Sequence, residues 1–155
     1  MNLFTKDFED FIQCLNNNNA KYLVVGGMAV IYYGYPRFTG DIDFWIEKTP
    51  ENAKAVFNAI IEFGMSSLKL KIEDFLKKDN IIQLGFEPNR IDILTDLHTV
   101  NFNECYVKRK DEKIKNFIVP FINIGDLINS KLIANRPQDL ADVYKLQKIQ
   151  SKRKK

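Results

Sequence analysis

A chain of 155 residues that is 45% hydrophobic and 28% charged has the length of one domain and the balance of a globular one, which excludes a disordered or fibrous polypeptide. The formal net charge is +3, and Lys152, Arg153, Lys154 and Lys155 together exceed it, so the body is near neutral and a uniformly basic nucleic-acid binder is excluded. No apolar run reaches the roughly 20 residues of a bilayer span, and "MNLFTKDFEDF" lacks the core of a leader peptide, so a cytoplasmic protein away from membranes is expected.

Thr5 has the chemistry of a helix cap, and Phe8, Phe11, Ile12 and Leu15 follow it at helical spacing, ending at the asparagines 16 to 19. "KYLVVGG" reads as a short buried strand, and "GMAVIYYG" as a helix that begins at the glycines and stops at Gly34. "DIDFWIE" is the second strand. "TPENAKAVFNAIIEFG" is a helix with Thr49 as cap, Pro50 in its first turn and Gly64 at its end. "IEDFLKK" predicts a short helix, and "NIIQLGF" and "RIDILT" two strands joined at "EPN". The charged segment from Tyr106 to Ile124 reads as a hairpin or an extended crossing. "IGDLINSKLIANR" and "PQDLADVYKLQKIQ" form two helices broken at Pro137. The expected architecture is a mixed α/β (α+β) sheet flanked by helices with a C-terminal helical pair. Residues 1–150 make one domain and 151–155 a disordered basic tail.

Cys14 and Cys105 are far apart and share no ligand spacing with the single His98; they are expected to be reduced thiols. His98 itself reads as a surface loop residue.

Strand side chains alternate, so Asp41 and Asp43 face one way while Ile42, Phe44 and Ile46 face the other. Asp92, set between Ile91 and Ile93, behaves alike. If the two strands lie side by side, three carboxylates converge. Such a cluster repels itself unless protons or a cation hold it, and its all-oxygen donor set suits Mg²⁺ or Mn²⁺. Neutralising Asp92 is then expected to relieve repulsion. Trp45 falls on the same face, where it either stacks on a base or joins the core. In "VVGGMAV", Gly26 and Gly27 turn a strand into a helix with backbone N–H groups free for phosphate, without the glycine spacing of a dinucleotide fold.

Strand–Gly-Gly–helix, then Asp-x-Asp opening the next strand, then a lone Asp in a later strand resembles the nucleotidyltransferase superfamily (the DNA polymerase β-like fold) over roughly Tyr22 to Thr95. Glycosyltransferases also use Asp-x-Asp, but without the glycine pair. "GGMAVIYYGYPRFTGDIDF" and "NSKLIANRPQDLADVYKL" look most like the AbiEii-type group, many of whose members are toxins of toxin–antitoxin systems. The resemblance implies that Gly26 and Gly27 hold the triphosphate, with Gly27 where many members carry a serine after the first glycine. It also implies that Asp41, Asp43 and Asp92 hold two metal ions. Arg37, Thr39, Lys131 and Arg136 are the further candidates for the nucleotide, with Asp139 and Asp142 completing the C-terminal pattern. An amphipathic helix that buries Leu127, Ile128 and Leu132 and leaves its charges solvated is the plainer reading of that segment. The implied activity is transfer of a nucleoside monophosphate to an acceptor hydroxyl on RNA, such as a tRNA 3′ end, or on protein, with an antitoxin as a further partner. A catalytically degenerate binding module of the same fold is the alternative.

Overall fold

The computed structural model describes residues 3–66 and 69–153. Thr5 caps α1 (Lys6–Asn17), its hydroxyl accepting the Phe8 N–H at 3.2 Å. β1 (Tyr22–Val25) runs directly into the short α2 (Gly26–Tyr32), and β2 (Asp41–Ile46) returns antiparallel to β1. α3 (Pro50–Glu62) starts at the Thr49 cap. β3 (Ile81–Leu84) and β4 (Arg90–Leu94) form the predicted antiparallel pair. α4 (Phe102–Val107) precedes the hairpin of β5 (Lys110–Ile114) and β6 (Phe117–Phe121), and α5 (Ile124–Ala134) and α6 (Pro137–Arg153) close the chain. The sheet has six strands in the order β3-β4-β2-β1-β6-β5 and is mixed: β2–β4 and β1–β6 are parallel and the other pairs antiparallel.

One face of the sheet carries the core. Ile42, Phe44 and Ile46 are fully buried there, and Phe44 meets Phe11 of α1 and Tyr22 of β1 with ring centroids 5.4 and 5.5 Å apart. Phe11 in turn meets Phe63 edge-on, beside the end of α3, at 5.2 Å. Tilted and edge-to-face aromatic contacts of this kind add to the area they bury. The apolar stripes of α1 and α3 thus cover the face opposite Asp41 and Asp43.

Four sequence expectations change. The short helix expected over "IEDFLKK" is a 3-10 helix confined to Ile72–Phe75. α4 was not anticipated: Asn101 caps it by accepting the Glu104 N–H at 3.0 Å, but six residues are too few for a periodic signal. Leu132, expected inside, is 46% exposed, while Leu127 and Ile128 are buried. α6 continues through Ser151, Lys152 and Arg153, which were assigned to the tail; the Arg153 guanidinium lies 5.2 Å from the Tyr33 ring centroid. Lys154 and Lys155 lie outside the described residues. Cys14 and Cys105 are free and buried. No helix of the described residues is long and apolar enough to cross a membrane.

Buried Asn52 in the first turn of α3 ties the helix to the sheet. Its amide accepts from Lys21 N at 2.7 Å and donates to Lys21 O at 2.9 Å and Glu47 O at 2.8 Å. Replacing it by leucine takes the amide partner from Lys21 N–H and Glu47 O, while Lys21 O keeps the Glu47 N–H at 3.2 Å, so Asn52→Leu should lower unfolding stability by about 2 kcal/mol. A urea titration measures the difference, and an unchanged midpoint would remove Asn52 from this role.

Candidate active site

The parallel register of β2 and β4 sets Asp41 opposite Arg90 and Asp43 opposite Asp92. Alternation points all four side chains to the face away from the α1/α3 core. The carboxylates of Asp41, Asp43 and Asp92 each offer an oxygen within 4.8 Å of the others. Arg90 lies among them. Its Nε donates to Asp92 Oδ1 at 2.9 Å, and its Nη2 donates to Asp92 Oδ2 at 3.1 Å and to Asp41 Oδ2 at 2.7 Å. The sequence reading missed Arg90. The signal was present: a residue two positions before Asp92 in the same strand must share its face.

The three carboxylates are therefore not equivalent. Asp41 and Asp92 have a guanidinium partner, and Thr39 adds its hydroxyl to Asp41 Oδ1 at 3.1 Å. Asp43 has no such partner among the described residues. Burial first, then the charges of Asp41 and Asp92, push its carboxyl up to about 8, and it shares a hydrogen bond with Asp92. The repulsion that the sequence reading placed on Asp92 thus falls on Asp43, because Arg90 already compensates Asp92. Donor chemistry and spacing both suit a hard divalent cation, which would take over the neutralising role that a proton plays at Asp43.

The glycine pair does two separate jobs. Gly26 has φ +68, and a Cβ there would fall 2.9 Å from Asp43 Cγ, so only glycine lets the turn close over that carboxylate. At Gly27 a Cβ would come within 2.9 Å of Arg37 Nη2 and 3.0 Å of Thr39 Oγ1. A side chain at Gly27 would displace Arg37 and Thr39 as well as any phosphate.

A second set of charges comes from the C-terminal helices. Lys131 on α5 is 7% exposed, and Asp139 and Asp142 on α6 are 2% and 1% exposed. Lys131 Nζ lies 2.9 Å from Asp142 Oδ2 and 3.4 Å from Asp139 Oδ1. Arg136 Nε donates to Asp139 Oδ2 at 2.6 Å, and Arg37 Nη2 lies 3.4 Å from Asp142 Oδ2. Burial would raise the Asp139 carboxyl, but Arg136 and Lys131 hold it below the usual carboxylate range. The reading of these helices as a solvated charged face is thereby corrected at Lys131, Asp139 and Asp142. Two buried carboxylates hold three cations around one opening.

That opening is a cavity of about 620 Å³, lined by Gly26, Gly27, Arg37, Thr39, Asp41, Asp43, Asp92, Lys131 and Arg136 together with Arg90 and Phe38. The nine residues expected from the sequence to hold metal or nucleotide all line it. His98, assigned to bystander surface, also lines it. Trp45 does not. It sits on the carboxylate face as alternation requires, but Phe102 of α4 packs edge-on against it at 5.1 Å and leaves it 1% exposed. The aromatic ring presented at the cavity is Phe38, which is 81% exposed.

The protonation of Asp43 fixes a pH dependence. In the metal-free fold the carboxyl keeps its proton up to about 8, whereas the unfolded chain releases it near 3.8. The folded state binds the extra proton between those values, so stability falls as pH rises through that window. Melting temperature in EDTA should drop from pH 5 to pH 8 in the wild type. In Asp43→Asn the profile should be nearly flat, with the variant at least as stable as wild type at pH 8. A parallel pair of profiles would show that Asp43 carries no such burden.

Over residues 3–151 the chain matches a family described as nucleotidyltransferase of unknown function (DUF6036). No curated protein matches it significantly. The match takes in the glycine turn, the three aspartates and the Lys131–Asp142 segment, so its extent is that of the fold and of the site together. The chain belongs to this family of nucleotidyltransferases.

Proposed function

We propose that the chain transfers a nucleoside monophosphate from a nucleoside triphosphate to an acceptor hydroxyl, with Asp41, Asp43 and Asp92 holding Mg²⁺ or Mn²⁺. The observation that carries this reading is the register of β2 against β4, which sets Asp43 opposite Asp92 with Asp41 beside them, under the Gly26 turn. When bound, the cation supplies charge neutralisation at the phosphates and at the attacking and leaving oxygens.

The chain's own residues do the rest by position. Backbone N–H groups at Gly26 and Gly27 face the phosphates, and Arg37 and Thr39 close the same side. Lys131 and Arg136, held by Asp139 and Asp142, present fixed positive charge across the cavity. Fixed charges of this kind stabilise a developing negative charge without reorganising. The acceptor oxygen forms a bond to the α-phosphorus as the bond to the bridging oxygen breaks. Pyrophosphate leaves, and the hydroxyl proton passes to Asp92. Phe38 offers its ring face to a base at the mouth.

The buried Lys131–Asp139–Asp142 arrangement supports the AbiEii-type resemblance. On that resemblance we read the acceptor as a hydroxyl on RNA, such as a tRNA 3′ end, or on protein, and the chain as a toxin with an antitoxin partner in the cytoplasm.

Incubating the protein with Mg²⁺, α-³²P-labelled triphosphates and cell RNA or protein should label one of those pools. Asp43→Asn should lower the rate at least about a hundredfold. Triphosphate should raise the melting temperature by several degrees with Mg²⁺ and not in EDTA, in line with binding to the folded state alone. Equal stabilisation in EDTA would contradict a metal-bridged nucleotide, and wild-type transfer by Asp43→Asn would remove that carboxylate from the chemistry.

A further inference from the structure

Arg90 occupies the carboxylate oxygens that a cation would need. Three bonds tie it to the site: two to Asp92, one on each oxygen, and one to Asp41 Oδ2. Thr39 takes Asp41 Oδ1. Of the six carboxylate oxygens in the cluster, only those of Asp43 receive no guanidinium or hydroxyl bond in this set. A hard cation seated among the three aspartates must therefore share or take over oxygens that Arg90 now holds. The guanidinium has a second seat close by. Glu87 Oε1 lies 3.7 Å from Arg90 Nη1, its side chain is 59% exposed, and it sits on the turn between β3 and β4 against Gly40.

We propose that Arg90 is a resident counter-cation of the site. It neutralises Asp41 and Asp92 when no metal is bound, and the metal displaces it from Asp41 toward Glu87. This inference rests on the reading of the three aspartates as a cation site. It adds that the chain itself sets how much free metal is needed before the nucleotide pocket is complete. A guanidinium is suited to this. Its planar fork pairs with a carboxylate on two atoms, its charge does not titrate away, and it is weakly hydrated when released. A residue that only holds Asp92 in place would act in the opposite direction, because losing it would disorder a ligand and weaken metal binding.

The test is Mn²⁺ affinity of the whole chain, read by electron paramagnetic resonance of free Mn²⁺ and by calorimetry. Arg90→Met removes the competing charge and should bind Mn²⁺ at least about tenfold more tightly than wild type, since a like charge a few ångströms away opposes the ion. In EDTA the same variant should melt below wild type, and Mn²⁺ should stabilise it more than it stabilises wild type. Arg90→Lys keeps the charge but loses the fork. It should fall between the two, and it decides the matter if the methionine variant does not fold. Affinity equal to or weaker than wild type in these variants, with wild type binding Mn²⁺ normally, overturns the counter-cation role and leaves the metal site standing. If wild type itself takes up no Mn²⁺, the metal reading falls and this inference falls with it.

Discussion

The parallel pairing of β2 with β4 sets the problem that the rest of the site answers. It places Asp43 and Asp92 at opposed positions of adjacent strands, with Asp41 one step further along the same face. Three carboxylates on one side of a sheet cannot all remain charged and unpaired in a half-buried setting. Arg90 answers for two of them and a retained proton for the third. Gly26 is part of the same constraint, because any side chain there would collide with Asp43. The glycine turn and the Asp-x-Asp strand are thus one structural unit, locked by contact between a backbone without a Cβ and a carboxylate.

Around this unit the chain arranges charge in the opposite sense. α5 and α6 bring Lys131 and Arg136 to the cavity, and the buried Asp139 and Asp142 fix them there. Asp142 also reaches Arg37, which joins the loop before β2 to the last helix. Breaking one partner of such a network costs more than the pair contributes, because it leaves a buried charge unpaired. The cavity therefore has an acidic floor on the sheet and a basic wall on the helices. A triphosphate bound through a divalent cation would suit both at once, its phosphates against the wall and the metal against the floor.

Much of this was legible from residue type and spacing. The Thr5 and Thr49 caps, the strand–Gly-Gly–helix turn, the two-residue alternation that puts Asp41 and Asp43 on one face, and the break before Pro137 are local signals, and the structure carries each of them. What escaped depends on long-range placement. Trp45 obeys its alternation but is buried because α4, too short to announce itself, folds over it. Lys131 looks like a solvated helix charge until α6 brings Asp139 and Asp142 beside it. His98 reaches the cavity only through a loop with positive φ that no pattern reveals. Arg90 is the instructive miss, since the alternation applied to Asp92 applied to it equally.

The central claim is that the three aspartates hold a divalent cation and that the cation carries the nucleotide. Manganese anomalous scattering from crystals grown with Mn²⁺ and a non-hydrolysable triphosphate addresses it most directly. The account predicts an anomalous peak bonded to oxygens of Asp41, Asp43 and Asp92 and to phosphate oxygens lying beneath Gly26 and Gly27. A nucleotide ordered in the cavity with no peak at the aspartates, and Arg90 still bridging Asp41 and Asp92, would contradict it.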